Sequence, residues 1–491
     1  MKTVATASLL LNTGMDTLGI YGGFRMEYHR GNMMKKWTSC TLSSILAFSL
    51  FLPFTSYAQV YPNEETVVRK EEGSSYPVLK KAKKPEDAGF SSERLEKVDR
   101  LIEMEVASGF PGAALIVVKD GKIVKNDSYG YKRKFNEHTP LKRFEKMKND
   151  TMFDLASNTK MYATNFALQK LVSEGKIDIQ AKVQQYIPEF KDMEADVIKG
   201  KDTLRIVDVL HHTAGFKPDP QYHNPAVSKE LYSQERDKTI SFISKTPLTY
   251  VPGTQNVYSD VDYMLLCAIV EKITGQPLDT YVENELYKPL NLKHTKFNPL
   301  QKGFKPKDFA ATELLGNTRD GVITFPYIRT YTLQGEVHDE KAFYSMGGVS
   351  GHAGLFSNTA DLAVLLQVML NGGGYGKQAF FDQETIDEFV APSEMNPTYG
   401  LGWRRNGDAS MEWMFSRHAS ESAYGHTGWT GTVTIIDPEK DLGIVLLTNK
   451  KHSPLVNPVA NSNQFFGDLF KTGSYGSVVT AIYEALESDK K

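Results

Sequence analysis

The sequence predicts an α+β fold in which one antiparallel sheet, built from both chain ends and flanked by terminal helices, stands beside a mainly helical inserted lobe. Three observations carry the prediction. The stretch GAALIVVKDGKIVKNDSYGY (112–131) reads as a hairpin turning at Asp120-Gly121. Two more strand patterns, TVTIIDP (432–438) and LGIVLLTN (442–449), return near the other end of the chain. Between these regions, from Leu155 to about Ala423, the pattern is helix-rich with long loops and no internal repeat.

Each terminal helix has its own signal. Ser91 or Ser92 can cap a helix whose apolar face is Leu95, Val98, Leu101, Ile102 and Val106. SVVTAIYEALE, after Gly476, reads as the closing helix. Residues 85–491 therefore form one domain, with a sheet lobe from 85–150 and 424–491 and a helical lobe from 151–423. A cleft is expected where the lobes meet. The polar run 59–84 reads as a stalk without periodicity.

At 491 residues, with 41% hydrophobic and 11% aromatic content, the chain can bury a large core. Its 57 Lys+Arg against 59 Asp+Glu leave a net charge of −2, which gives no global attraction to nucleic acid. From Met34, MKKWTSCTLSSILAFSLFLPFTSYAQ has a basic start, an apolar run from Leu42 to Phe54, and Ser56-Tyr57-Ala58 before Gln59. This is the pattern of a secretory signal cut after Ala58, with residues 1–33 as coding upstream of it. Left uncut, the segment would tether the protein with Arg25, Arg30, Lys35 and Lys36 on the cytoplasmic side. Cys40 and Cys267 are too few for a disulfide framework; Cys40 leaves with the signal, and Cys267 lies on an apolar helical pattern as a buried thiol.

Ser-x-x-Lys occurs at Ser157, Ser173 and Ser488. Ser488 lies at the chain end and Ser173 near a helix stop before Gly175. Ser157 instead opens a helix whose buried side offers Ala163, Phe166, Ala167 and Val172. There Lys160, three residues on, shares a face with the Ser157 hydroxyl, and the helix N-terminus favours developing negative charge. Downstream, Tyr258-Ser259-Asp260 precedes an amphipathic helix. The alternative register from Ser259 would put Val261 where an amide is needed, so Tyr258 is the base candidate, supported electrostatically by the Lys160 ammonium.

The third element must be an edge strand that runs into the sheet beside the nucleophile. FKTGSYG (470–476) holds Lys471-Thr472-Gly473 but is followed by a helix pattern. GHTGWTG (425–431) runs directly into the strands at 432–438 and 442–449. His426-Thr427-Gly428 is therefore the working triplet and the lysine triplet a look-alike. The backbone N–H groups of Ser157 and Trp429 are the expected oxyanion donors.

These three elements in this order, with LHHTAGF (210–216), GHAGLFSNTADLAVLLQ (351–367) and YGLGW (399–403), resemble the serine β-lactamase and penicillin-binding-protein family over about 86–488. The resemblance implies a periplasmic or inner-membrane-anchored serine acyl hydrolase. It implies a D-Ala-D-Ala carboxypeptidase acting on peptidoglycan-derived peptides, with β-lactams as acylating ligands and no cofactor. A small-acyl esterase and a slowly turning-over penicillin-binding sensor are the alternatives. Two positions depart from the family: Asp260 stands where Asn is more frequent, and His426 where Lys is. Asp260 turns an amide donor into an acceptor and can pair with Lys160 instead. His338, Asp339, Glu340 and His352 could be read as metal ligands, but no i, i+4 His pair accompanies them, and the expected site has no metal. His211-His212 reads as a helix-end feature, and Phe216, Trp403 and Trp429 as cleft-lining or core aromatics.

Overall fold

The computed structural model describes residues 75–487. The signal-like segment, most of the polar run and Ser488 lie outside the described residues. No helix among the described residues is long and apolar enough to cross a membrane.

The main sheet comprises β1 (Lys80–Lys81), β2 (Gly112–Lys119), β3 (Lys122–Asn136), β4 (Thr139–Lys146), β5 (Arg404–Arg405), β6 (Tyr424–Gly428), β7 (Thr432–Asp437) and β8 (Leu442–Thr448). Its order is β1-β3-β2-β8-β7-β6-β5, with β4 pairing β3 outside this path. β1 runs parallel to β3 and the other pairs are antiparallel. The two chain ends meet at the centre, where β2 pairs β8 from Ala113↔Thr448 to Lys119↔Leu442. The β2–β3 hairpin turns at Asp120 and Gly121, both at positive φ, the turn geometry that follows the right-handed twist of the strands.

β2 and β8 are continuous apolar runs because both faces of the sheet are covered. Ala113, Leu115, Val117, Ile444 and Leu446 face a core shared with helices α1 (Ser92–Ala107) and, at the other chain end, the closing helix Gly476–Glu484. Ala114, Ile116, Val118, Val445 and Leu447 face the core of the helical lobe. That lobe contributes α2 (Phe166–Ser173), α3 (Asp260–Thr274) and α4 (Thr359–Leu370); the closing helix is α5. Ser91 caps α1 by accepting the Arg94 amide at 3.3 Å, and Leu95, Val98 and Ile102 are buried, while Leu101 and Val106 are half-buried.

Two boundaries differ from the sequence reading. Lys80–Lys81 belongs to the sheet and Tyr76 bridges Gly376, so the fold begins ahead of residue 85. Arg404–Arg405, inside the span assigned to the helical lobe, forms the opposite edge. Two-residue charged edge strands carry no readable alternation, which is why the pattern hid them. The helical lobe also contains a small sheet of Phe153–Asp154, Leu355–Ser357 and Lys296–Phe297.

Lys471-Thr472-Gly473 forms a turn ahead of α5. The Glu105 carboxylate of α1 accepts the Lys471 and Thr472 amides at 2.8 and 2.7 Å, and the Gly473 carbonyl accepts Lys450 Nζ at 2.8 Å. The triplet thus ties the closing turn to α1. Glu105→Ala is expected to lower unfolding free energy by about 1–3 kcal/mol, since two amides lose a charged acceptor. Denaturant unfolding checks this, with reactivity at Ser157 unchanged in the folded fraction.

Candidate active site

Ser157 follows a short strand and a strained turn. Phe153–Asp154 pairs with Leu355–Ser357, and Asp154 accepts the Ala156 amide at 2.8 Å, holding Ala156 at a φ of 45°. A non-glycine residue in the left-handed region is uncommon and costs energy that the surrounding contacts must offset. The helical backbone begins at Asn158, immediately after the serine, and Lys160–Asn165 form a π-turn before α2. Asn158 anchors this turn to the sheet: its amide donates to Thr432 Oγ1 at 3.0 Å, and Thr434 Oγ1 donates to its carbonyl at 3.0 Å.

The fully buried Lys160 reaches into the site from this turn. Its Nζ lies 3.1 Å from Ser157 Oγ, 2.8 Å from Asp260 Oδ1 and 3.4 Å from the His352 carbonyl. It also stands 4.6 Å from the centroid of the Tyr258 ring. Burial pulls the Lys160 ammonium down, but the Asp260 carboxylate and Tyr258 overcome that effect and leave its pKa raised. Burial works against Asp260 as well, yet Lys160, His352 and Lys341 hold its carboxyl far below the ordinary range. The i, i+3 placement predicted from sequence therefore holds, and Asp260 turns to Lys160 as an ion pair.

Tyr258 lies half-buried in the loop ahead of α3. The His212 ring is 4.7 Å from it, the His426 ring 6.0 Å, and the Arg404 guanidinium 5.5 Å. His212 ends a helix and turns the chain at a φ of 57°, as read from sequence, but it also packs on Tyr258. Its Nδ1 is 2.7 Å from Asp262 Oδ2, and both side chains are buried. Burial drives His212 well below its usual pKa and Asp262 well above. Burial thus disfavours charge on either partner of this contact, and the imidazole packs on Tyr258 without adding positive charge.

The edge of the site is β6, in register His426↔Thr434, Thr427↔Val433 and Gly428↔Thr432. His426 Nδ1–H donates to the Thr427 carbonyl at 2.7 Å, which leaves Nε2 as an acceptor with no partner among the described residues. Burial, Arg404 and Lys160 hold this imidazole neutral by driving its pKa well down. A Cβ on Gly428 would lie 2.3 Å from both the Leu155 carbonyl and Thr432 Oγ1, so only glycine lets β6 approach the serine turn this closely. The amides of Ser157 and Trp429 donate to no acceptor among the described residues. Both residues line one cleft of about 480 Å³ with Tyr258, Arg404, His426 and Thr427.

The far wall was not read from sequence. Trp413, Lys450, Lys451 and the hairpin β9 (Leu455–Asn457) and β10 (Asn461–Phe465) close the cleft. Lys451 lies 4.1 Å from the Trp429 ring, and burial pulls it down to about 8 despite Asp468 at 2.8 Å. Trp429 is 40% exposed, whereas Trp403 and Phe216 are fully buried core residues. Cys267 is buried, and Ser173 bonds Thr385 away from the site. Of the residues weighed as metal ligands, His338 bonds Glu313 and Glu340 bonds Arg319. Asp339 and His352 do gather with Asp260, but the Lys341 ammonium is 3.1 Å from Asp339 and 3.3 Å from Asp260, and supplies the cation these carboxylates need.

Two outcomes follow from this geometry. Gly428→Val is expected to lower acylation by at least about 100-fold, the scale of losing one aligned oxyanion donor. Lys471→Ala, on an exposed turn, should stay within about twofold of wild type, both variants being read by acylation with a fluorescent penicillin. Separately, Asp260→Asn removes the charge that raises Lys160, so the ammonium loses its proton at lower pH. The basic limb of the acylation profile should then move down, as read by acylation rate against pH.

The family model described as Beta-lactamase matches residues 98–467. A protein of Bacillus subtilis (strain 168) named "N-acetylmuramyl-L-alanine amidase" is 61% identical over 456 residues, covering 92% of this chain and 100% of that protein. A protein of Salmonella schwarzengrund named "Putative D-alanyl-D-alanine carboxypeptidase" is 57% identical over 412 residues, covering 84% of this chain and 95% of that one. The fold matches a crystal structure of a penicillin-binding-protein homologue from Caulobacter crescentus, with a TM-score of 0.58 at 19% identity over 81% of this chain and 99% of that one. A serine turn, a lysine beneath it and an edge strand ending in glycine thus accompany a match over most of the chain, and the protein belongs to the beta-lactamase family of serine hydrolases.

Proposed function

We propose that the protein hydrolyses an amide bond of a cell-wall peptide through a Ser157 acyl-enzyme. The observation that carries this reading is the Lys160 ammonium, 3.1 Å from Ser157 Oγ and 2.8 Å from Asp260, beneath the Tyr258 ring in an open cleft. Tyr258 takes the Ser157 proton as Oγ attacks the carbonyl, with the Lys160 ammonium 4.6 Å from its ring. The Ser157 and Trp429 amides receive the oxyanion, each worth about 3 kcal/mol when aligned. The proton passes to the leaving amine, and water activated by the same pair then releases the acyl group. His426, Thr427 and Gly428 align the substrate along β6, while Asp260 keeps Lys160 charged.

The preferred bond is D-Ala-D-Ala, for which Arg404, Lys450 and Lys451 supply cations near a terminal carboxylate. A second reading, the amide joining N-acetylmuramic acid to L-alanine, is favoured by the full-length match to the Bacillus protein of that name and by two exposed tryptophans, Trp413 and Trp429, on which a sugar could stack. In either case the enzyme is exported, released after cleavage at Ala58 or held at the inner membrane, and β-lactams acylate the same serine.

Purified protein is incubated with a muramyl pentapeptide and, in parallel, a short-chain ester. Released D-Ala supports the carboxypeptidase, and free N-acetylmuramic acid supports the amidase. Ester hydrolysis alone would replace both with an esterase, and an acylation burst without turnover would replace them with a sensor. Ser157→Ala should lose covalent labelling by fluorophosphonate and reduce turnover by about three or more orders of magnitude; labelling that persists, or maps to Ser173, removes Ser157 as the nucleophile.

A further inference from the structure

Beneath the serine the charged groups form a closed circuit. Lys160 Nζ bonds Asp260 Oδ1 at 2.8 Å, and Asp260 Oδ2 lies 3.3 Å from Lys341 Nζ. Lys341 reaches Asp339 Oδ2 at 3.1 Å, and His352 Nε2 donates to Asp339 Oδ1 at 2.9 Å. His352 Nδ1 is in turn bonded to Ser350 Oγ at 2.8 Å, and the His352 carbonyl returns to Lys160 at 3.4 Å. Every step runs through a side chain except the last. The Lys341 side chain is 6% exposed, and its remaining contact is Asp219 at 3.2 Å, a carboxylate half open to solvent.

Asp260 therefore has one oxygen on each of two ammonium groups. A carboxylate bonded to Lys160 alone could rotate to offer both oxygens to Nζ and draw it away from Ser157 Oγ. Lys341 holds the second oxygen and so fixes the direction in which the first one points. Lys341 is itself fixed: it opens a π-turn (Lys341–Ser345) whose Ala342 amide donates to Asp339 Oδ1 at 2.9 Å. Its charge also matters, because a second cation sharing the Asp260 carboxylate limits how strongly that carboxylate holds the proton on Lys160.

We infer that Lys341 is a positioning residue for acyl transfer: by holding the second oxygen of Asp260, it sets where the Lys160 ammonium stands beneath Ser157. The inference rests on Ser157 being the nucleophile and is independent of which amide is cleaved. The groups that face Lys160 are Tyr258, Asp260, Asp262 and Tyr263 from α3 and its leading loop; His212 from the turn packed on it; His352, Asp339 and Lys341 from the circuit; and Arg404, Tyr399 and His426 from the sheet side. Loss of the Lys341 cation makes the field at Lys160 more negative, so Lys160 keeps its proton to higher pH. Asp260→Asn acts in the opposite direction.

The test is the rate of Ser157 labelling by fluorophosphonate against pH, in full-length protein whose folding is checked by thermal unfolding. Lys341→Met removes the charge and keeps the length. Lys341→Met with Asp219→Asn keeps the net charge and relieves carboxylate crowding should the single variant fold poorly. Both are expected to label about tenfold or more slowly at neutral pH, with the basic limb moved up by about one unit in the single variant and by less in the double, where loss of the Asp219 charge offsets part of the lost cation. Lys341→Arg should restore the wild-type limb and much of the rate. A folded neutral variant with wild-type rate and limb overturns the inference. A slower rate with an unmoved limb also overturns it, because that is the signature of a merely structural role. Ser157→Ala run in parallel separates the two readings: residual labelling there overturns the nucleophile and this inference with it, whereas clean Ser157 dependence with an unmoved limb in Lys341→Met overturns this inference alone.

Discussion

The site depends on keeping an ammonium charged where no water reaches it. Lys160 is fully buried, and an unpaired charge in such a place would lose its proton rather than bear the desolvation cost. Asp260 prevents that, and Asp260 in turn is held by Lys341, Asp339 and His352. Removing one member of such a set leaves its neighbours buried and unpaired. The serine turn, the loop ahead of α3 and the segment from 338 to 352 are consequently constrained together, although they are far apart in sequence.

The sheet gives this charge set a rigid floor. Pairing β2 with β8 brings the chain ends together, and β7 carries the threonines that clamp Asn158 beside Ser157. Gly428 then lets β6 run against the Leu155 carbonyl. Strand register, not a flexible loop, decides how far Trp429 stands from Ser157. Neutral imidazoles at His212 and His426 frame Tyr258, so the positive field near the phenol comes from Lys160 and Arg404 alone among these neighbours.

The parts legible in the sequence were those set by local periodicity. Ser157 and Lys160 face each other because they are three residues apart at the start of a helical segment. His426-Thr427-Gly428 could be told from Lys471-Thr472-Gly473 as the triplet at the cleft edge because only it continues into strands, while the other binds Glu105 on α1. Asp260 was visible as a departure from the family pattern, and its pairing with Lys160 followed from charge. Arg404 and the Lys80–Lys81 strand were not visible, since two-residue edge strands show no alternation.

By itself the sequence determined the central strands, the terminal helices and which three short motifs could meet, since hydrophobic period and hydroxyl–ammonium spacing are properties of neighbouring residues. Tertiary structure alone decided the rest. Whether His352 and Asp339 bind a metal or a lysine depends on where the Lys341 ammonium stands, and whether Lys450 and Lys451 face solvent or the cleft depends on a hairpin folding back over it. Electrostatic energies in a buried site are set by distances of a few ångströms between residues from separate elements, and no spacing along the chain encodes those distances.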